Sequence, residues 1–266
     1  MKITGRTRIF GIIADPIHHV KTPEDMNAIL AAWGRDMVVI PIHVHPQGLD
    51  DWVRGWRAQE NLHGIIATVP HKGAMLAHCD ALEGDADRIG AVNAIRRDPG
   101  GRLVGAALDG LGLVGGLRAA GLDPRGMDTL LMGAGGAGAA VAFALAEAGV
   151  ARLSIRNRNM DRARDLAARV GARYPSIPVD CAPEATASRD LIVNTTSLGM
   201  KDKDPLPLSD VSFRKGQIVA EAIMSPAETA LMALARAAGA TIQPGRPMLR
   251  SQLELMLAHW GVHPPG

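Results

Sequence analysis

The run Gly133-Ala134-Gly135-Gly136-Ala137-Gly138 has the form G-x-G-x-x-G, set between an apolar stretch and a small-residue stretch. In a strand–turn–helix context each glycine has a task. The first permits the tight turn, the second lets backbone approach a pyrophosphate, and the third lets helix and strand pack closely. The helix start adds partial positive charge. These residues therefore predict a dinucleotide site. About twenty residues on, where NAD proteins place an acid for the ribose 2′-hydroxyl, stands Arg156-Asn157-Arg158-Asn159, with Arg162 one turn further. Guanidinium forks bind a phosphate bidentately, so NADP is the expected cofactor and NAD the alternative. His43 and His45 alternate as metal ligands do on one face of a strand. No carboxylate or third histidine is near them in sequence, so no metal is expected. No nucleophile elbow is present.

The elements that must position these groups follow from apolar periodicity and turn residues. Strands are expected at 8–14, 37–43, 64–69, 91–96 and 102–107, and helices at 22–33, 48–58 and 71–79. Thr22 is expected to cap the first helix, with Pro23 at its first position and Gly34 ending it. A second series has strands at 128–132, 151–156, 190–194 and 217–221, and helices at 109–120, 136–148, 159–170, 226–238 and 247–260. Strands alternating with helices predict parallel sheets with βαβ crossovers, hence an α/β fold in two lobes. The expected lobes are 1–107, completed by the C-terminal helix 247–266, and 108–246 as a Rossmann-type doubly wound parallel sheet.

Composition removes other classes. Apolar residues are 47% and the formal net charge is +2, which excludes a disordered chain. Aromatics are 3%, too few for the stacking platforms of a single-strand binder, and no basic cluster suggests nucleic acid. The uncharged stretch 129–146 nears a membrane-span length, but four glycines interrupt it, so a buried strand, turn and helix are expected. Two cysteines, Cys79 and Cys181, make no disulfide framework, and the N-terminal apolar run is too short for a secretory signal. A cytoplasmic protein, monomer or homodimer, acting on a small molecule without nucleic-acid or membrane partners is expected.

Several local patterns then align with one family. Gly64 to Lys72 (GIIATVPHK) resembles G-x-N-V-T-V-P-x-K, and Gly90 to Asn93 resembles G-A-V-N-T. Gly105 to Gly110 (GAALDG) resembles G-x-N-T-D-G, and Pro16 to Pro23 (PIHHVKTP) resembles P-I-x-H-S-K-S-P. Asn157 to Arg162 resembles N-R-T-x-x-R, and Asn194 to Met200 resembles N-A-T-S-x-G-M. From residue 8 to about 260 the chain resembles the shikimate dehydrogenase family. The resemblance implies an N-terminal substrate lobe, a Rossmann lobe, a cleft site between them, and reversible NADP-linked oxidation of a ring hydroxyl. It implies Lys72 as acid/base residue and Asp109 as its partner on the substrate hydroxyl, a pairing whose chemistry is sound if the lobes bring them together. It also implies Thr22, Thr68, Asn93 and Gln252 as substrate contacts. Cofactor contacts would be Gly133, Gly135, Gly136, Ala137, Gly138, Asn157, Arg158, Arg162, Thr195, Thr196 and Met248. Taken alone, Asn93 reads as a turn residue and Gln252 as an exposed helix residue.

The chain departs from the family mainly at one end of the substrate. The two serines that hold a carboxylate are Val20 and Thr22, and the tyrosine position is Met224. The motif Asn is Ile66, the Asn-Thr pair before Asp109 is Ala107-Leu108, and the Thr after Asn93 is Ala94. His18, His19 and Lys21 are candidate replacements for the acid contact. An oxidoreductase with an altered substrate is expected. A nucleotide-binding regulator with little turnover is the competing reading. A methylene-tetrahydrofolate-type dehydrogenase shares the two-lobe plan, but Asn93 and Gln252 argue against it.

Overall fold

The computed structural model describes residues 2–18, 20–181, 186–208 and 211–265. The chain divides into two compact units: Met1–Leu108 with Leu253–Gly266, and Asp109–Gln252.

In the first unit, β1 (Arg8–Ala14), β2 (Met37–His43), β3 (Leu62–Ala67), β4 (Ala81–Glu83), β5 (Ala94–Arg97) and β6 (Leu103–Ala106) form one sheet in the order β2-β1-β3-β5-β6-β4. β1, β2 and β3 are parallel, as the alternation of strand and helix predicts. β5, however, pairs antiparallel with both β3 and β6. Its short link to β6 through Asp98 to Gly101 is a hairpin, and a hairpin reverses the chain. The sheet is therefore mixed, where periodicity alone suggested a parallel one. The helices α1 (Thr22–Ala32), α2 (Leu49–Arg57) and α3 (Ala86–Ile89) belong to this unit. Thr22 is not the cap of α1; Lys21 holds that position without a side-chain bond, and Thr22 and Pro23 are the first helical residues. The stretch 71–79 tightens to a 3₁₀ turn over Ala74–His78.

The unit's core gathers Ile13, Trp56, Leu62, Ile65, Met75, Ile95 and Leu103. On another part of the sheet Trp260 stacks on Phe10, ring centroids 4.4 Å apart, and its indole N–H donates to Ile95 O at 3.1 Å. A side chain at Gly64 would stand 2.7 Å from that indole nitrogen, so the glycine makes room for the ring.

In the second unit β7 (Asp128–Met132), β8 (Arg152–Arg156), β9 (Val179–Asp180), β10 (Leu191–Asn194), β11 (Ile218–Glu221) and β12 (Thr241–Gln243) are all parallel, ordered β12-β11-β10-β7-β8-β9. Renumbered within the unit this is the 3-2-1-4-5-6 order of dinucleotide-binding folds. Its helices are α4 (Asp109–Ala119), α5 (Gly136–Glu147), α6 (Met160–Arg173) and α7 (Ala230–Ala237). The uncharged stretch 129–146 resolves into β7, the glycine turn and the buried α5. No helix among the described residues is long and apolar enough to cross a membrane. The last helix, α8 (Gly245–His259), is shared, its first two turns clustering with the second unit. Gly112 and Gly116 of α4 explain this: a Cβ there would meet Met248 and Gln252 at 2.8–3.0 Å, so the helices pack nearly backbone to backbone.

Candidate functional site

The glycine turn joins β7 to α5. Gly133 has φ +109°, and a Cβ there would stand 2.5 Å from Thr195 Oγ1. Thr195 closes on this gap, its hydroxyl donating to Met132 O at 2.7 Å. A Cβ on Gly138 would collide with the Gly133 carbonyl. The third glycine is therefore required by packing, as the motif predicts. Gly135 is the N-cap of α5 and offers no side-chain cap, and no acid stands in the first turn. Gly135 and Gly136 are exposed, with open space at their Cβ positions, and Ala137 is half-buried. The first N–H groups of α5 thus keep the bonding capacity a helix start leaves over, which fits a pyrophosphate.

Beside the turn lies the end of β8. Asn157 Oδ1 accepts from Ala134 N–H at 3.2 Å, and its Nδ2 donates to Asn159 O at 2.9 Å. Asn157 thereby ties the glycine turn to the arginine segment. Asn159 caps α6, its Oδ1 accepting from Asp161 and Arg162 N–H. The guanidinium groups of Arg158 and Arg162 are exposed and make no hydrogen bond or ion pair among the described residues. Uncommitted cations beside an open helix start suit a 2′-phosphate.

Sequence reasoning missed the group beneath Thr195 and Thr196. Glu221, fully buried at the end of β11, accepts from Asn194 Nδ2 at 2.9 Å and from Thr229 Oγ1 at 2.8 Å. Asn194 Oδ1 accepts from both the backbone and the hydroxyl of Thr196. Burial pushes the Glu221 carboxyl up to about 7, against the bonds from Thr229, Asn194 and the backbone N–H of Ile223, which favour its charge. The one signal was an acid closing the apolar run Ile-Val-Ala-Glu.

Asp109 opens α4 and is buried. Gln252, also buried and not exposed as it reads alone, donates from Nε2 to Asp109 Oδ1. Met248 lies one turn earlier on α8, buried. In the first unit Thr68 follows β3, its backbone N–H bonded to Ile13 O at 3.1 Å, and is half-buried. Lys72 is half-buried on the turn after it, its carbonyl accepting from Val92 N–H at 3.0 Å. His71 is buried, with Nε2 2.8 Å from Val44 O. Asn93 is buried too: Oδ1 accepts from Leu108 N–H at 2.7 Å, and its backbone bridges Ala67 and Ala106. Thr22 is half-buried, His18 and Lys21 are exposed, and His19 lies outside the described residues. Met224 is exposed, at 48%.

Residues 12–95 match the family described as shikimate dehydrogenase substrate binding domain, and residues 120–200 that described as shikimate / quinate 5-dehydrogenase. A shikimate dehydrogenase (NADP(+)) of Rubrobacter xylanophilus is 40% identical over 268 residues, 99% of this chain and 94% of the relative. The chain belongs to the shikimate dehydrogenase family. Two solved structures show the breadth of the fold. Shikimate 5-dehydrogenase from Thermus thermophilus, in complex with NADP(H) and shikimate, aligns with TM-score 0.84 and 32% identity over 97% of this chain and 95% of that one. The ligand-free 5-ketofructose reductase of a Gluconobacter species aligns with TM-score 0.88 and 30% identity over 97% and 94%. As a shikimate dehydrogenase family member the chain has the α/β fold its motifs implied, including the doubly wound second sheet. The regulatory reading gains nothing, since each of these relatives carries an enzyme's name.

Proposed function

We propose that this chain is an NADP-dependent oxidoreductase that interconverts a ring hydroxyl and its ketone on a small cyclic hydroxy acid, with shikimate and 3-dehydroshikimate as the reference pair. The uncapped start of α5 beside the unengaged Arg158 and Arg162 carries the reading. The nicotinamide supplies the hydride. Gly133, Gly135, Gly136, Ala137 and Gly138 would hold its pyrophosphate, and Arg158 and Arg162 the 2′-phosphate, with Asn157 keeping the two segments in register. Thr195, Thr196 and Met248 complete the cofactor contacts.

On the substrate, Lys72 gives a proton to the ketone oxygen as the carbon is reduced, and takes it back in the reverse direction. Asp109 orients the neighbouring hydroxyl, its carboxylate steadied by the Gln252 amide. Asn93 and Gln252 recognise hydroxyls because amides both donate and accept. Thr22 and Thr68 add hydroxyl contacts. The unpaired thiols of Cys79 and Cys181 support a cytoplasmic location. A near-neutral charge supports a small-molecule partner over nucleic acid, with a monomer or homodimer as the working unit.

One observation favours a second substrate reading. Val20, Ile66 and Met224 stand where the family motifs carry polar residues, and a similar structure is named a 5-ketofructose reductase. A substrate without a carboxylate would need none of the lost contacts. Initial rates of oxidation of shikimate, quinate and aminoshikimate with NADP and NAD, and of reduction of 5-ketofructose with NADPH and NADH, separate the readings. Turnover of the acids supports the first, turnover of the neutral sugar alone the second, and turnover of none overturns both.

A further inference from the structure

His43 and His45 have ligand-like spacing but no third donor near them in sequence. The fold supplies one. β1 and β2 run parallel with Ala14 opposite His43, so the next residue, Asp15, stands beside the end of β2. Its carboxylate takes one imidazole on each oxygen: Oδ1 lies 2.8 Å from His43 Nε2, and Oδ2 lies 3.1 Å from His45 Nδ1. One donor atom from each of the three residues lies within 4.8 Å of the others. The two rings are tilted by 38° with centroids 5.2 Å apart.

The backbone beneath holds this arrangement. Asp15 N–H donates to Val69 O at 3.2 Å, and Val44 N–H to Ala14 O at 3.3 Å. Val44, between the histidines, is buried, and the buried His71 bonds its carbonyl. Strand alternation turns both imidazoles to one side, so gathering three ligands costs little further ordering.

Two imidazoles and a carboxylate form the donor set of Zn²⁺ and similar borderline divalent ions. Zinc bonds of 2.0–2.1 Å in a tetrahedron separate the donor atoms by roughly 3.3 Å. The two observed separations, 2.8 and 3.1 Å, run to different oxygens of Asp15, and with all three donors within 4.8 Å of one another, side-chain rotation suffices to bring them to one ion. The side chains of His43, His45 and Asp15 are 46%, 74% and 23% exposed, so a fourth position would face solvent. We propose that Asp15, His43 and His45 form a binding site for a divalent transition-metal ion of the Zn²⁺ class, with three protein ligands and one open position.

The test is titration of the full, untagged chain with ZnCl₂ against a chromophoric chelator, with Co²⁺ absorption as a reporter of the ligand field. One Zn²⁺ should bind per chain. His45→Gln and Asp15→Asn should each weaken it by more than about a hundredfold, beyond the roughly 10- to 100-fold that loss of an outer-shell partner costs. His45 is largely exposed, so its variant keeps the fold even where Asp15→Asn disturbs the strand end. His78→Gln alters a second histidine–aspartate contact, His78 Nε2 to Asp50 Oδ1 at 3.1 Å, and should leave binding unchanged. No stoichiometric uptake, or uptake undiminished in His45→Gln, would overturn the proposal.

Discussion

Replacing Arg158 and Arg162 by alanine should convert the cofactor preference without harming the fold. Neither guanidinium has a protein partner among the described residues, so no intramolecular bond is lost. The cap of α6 also survives, because Asn159 accepts from the backbone of Arg162 and not from its side chain. A cation in the first turn opposes the helix dipole, so removing Arg162 should leave the melting temperature unchanged or slightly higher. A hydrogen bond to a charged group is worth about 1.5–3 kcal/mol, or roughly 10- to 150-fold in kcat/KM for each arginine that engages the 2′-phosphate. The two side chains share one partner, so their effects should not simply add. NAD lacks that phosphate, and its kcat/KM should stay within a few-fold. Initial rates of nicotinamide reduction with each cofactor, beside a thermal melt, measure both quantities. An equal loss with NADP and NAD, or no loss with either, would refute the assignment.

Lys72→Ala should lower kcat by roughly two to four orders of magnitude with a small change in KM for the cofactor, and near-full turnover would remove Lys72 from the chemistry. Gly138→Ala sets a methyl against the Gly133 carbonyl and should cost about 1–3 kcal/mol in a denaturant titration, with dinucleotide binding falling in parallel. Glu221, raised to about 7 in the folded state, binds a proton more tightly folded than unfolded. Its contribution to stability is full at low pH and fades as pH rises through 7, a loss of about 2–3 kcal/mol between pH 5 and pH 8. Glu221→Gln should abolish that part of the pH dependence, and an unchanged profile would place the titration elsewhere.

The legible parts of the site are local in sequence. The strand, glycine turn and helix read correctly because they are neighbours: Gly138 answers to the nearby Gly133 carbonyl, although Gly133 itself faces Thr195 from a distant segment. The proposed substrate residues are legible only as family motifs, since nothing in the environment of Asn93 or Gln252 could be read beforehand. Gln252 is buried because α4 carries glycines at Gly112 and Gly116, a contact across more than half the chain. The same limit hid Asp15 from His43: a parallel pair needs a crossover, so its partners are always distant in sequence. Glu221 escaped because its partners, Asn194 at the end of β10 and Thr229 at the cap of α7, come from separate elements. In the first sheet the period-2 signal identified β5 and β6 but carried no direction, and direction was set by the turn between them.

The stacking of Trp260 on Phe10 sets an order of assembly. A ribosome makes β1 early and the indole among the last residues of the unit, after the whole Asp109–Gln252 segment has emerged. Until then the recess over Gly64 lacks its filling ring and Ile95 O lacks its indole donor. The nascent first unit must therefore wait with apolar surface uncovered while the inserted unit, continuous in sequence, is free to fold first. Holding chaperones should be needed for the part synthesised earliest, and the unit translated in the middle should mature before the one that begins the chain.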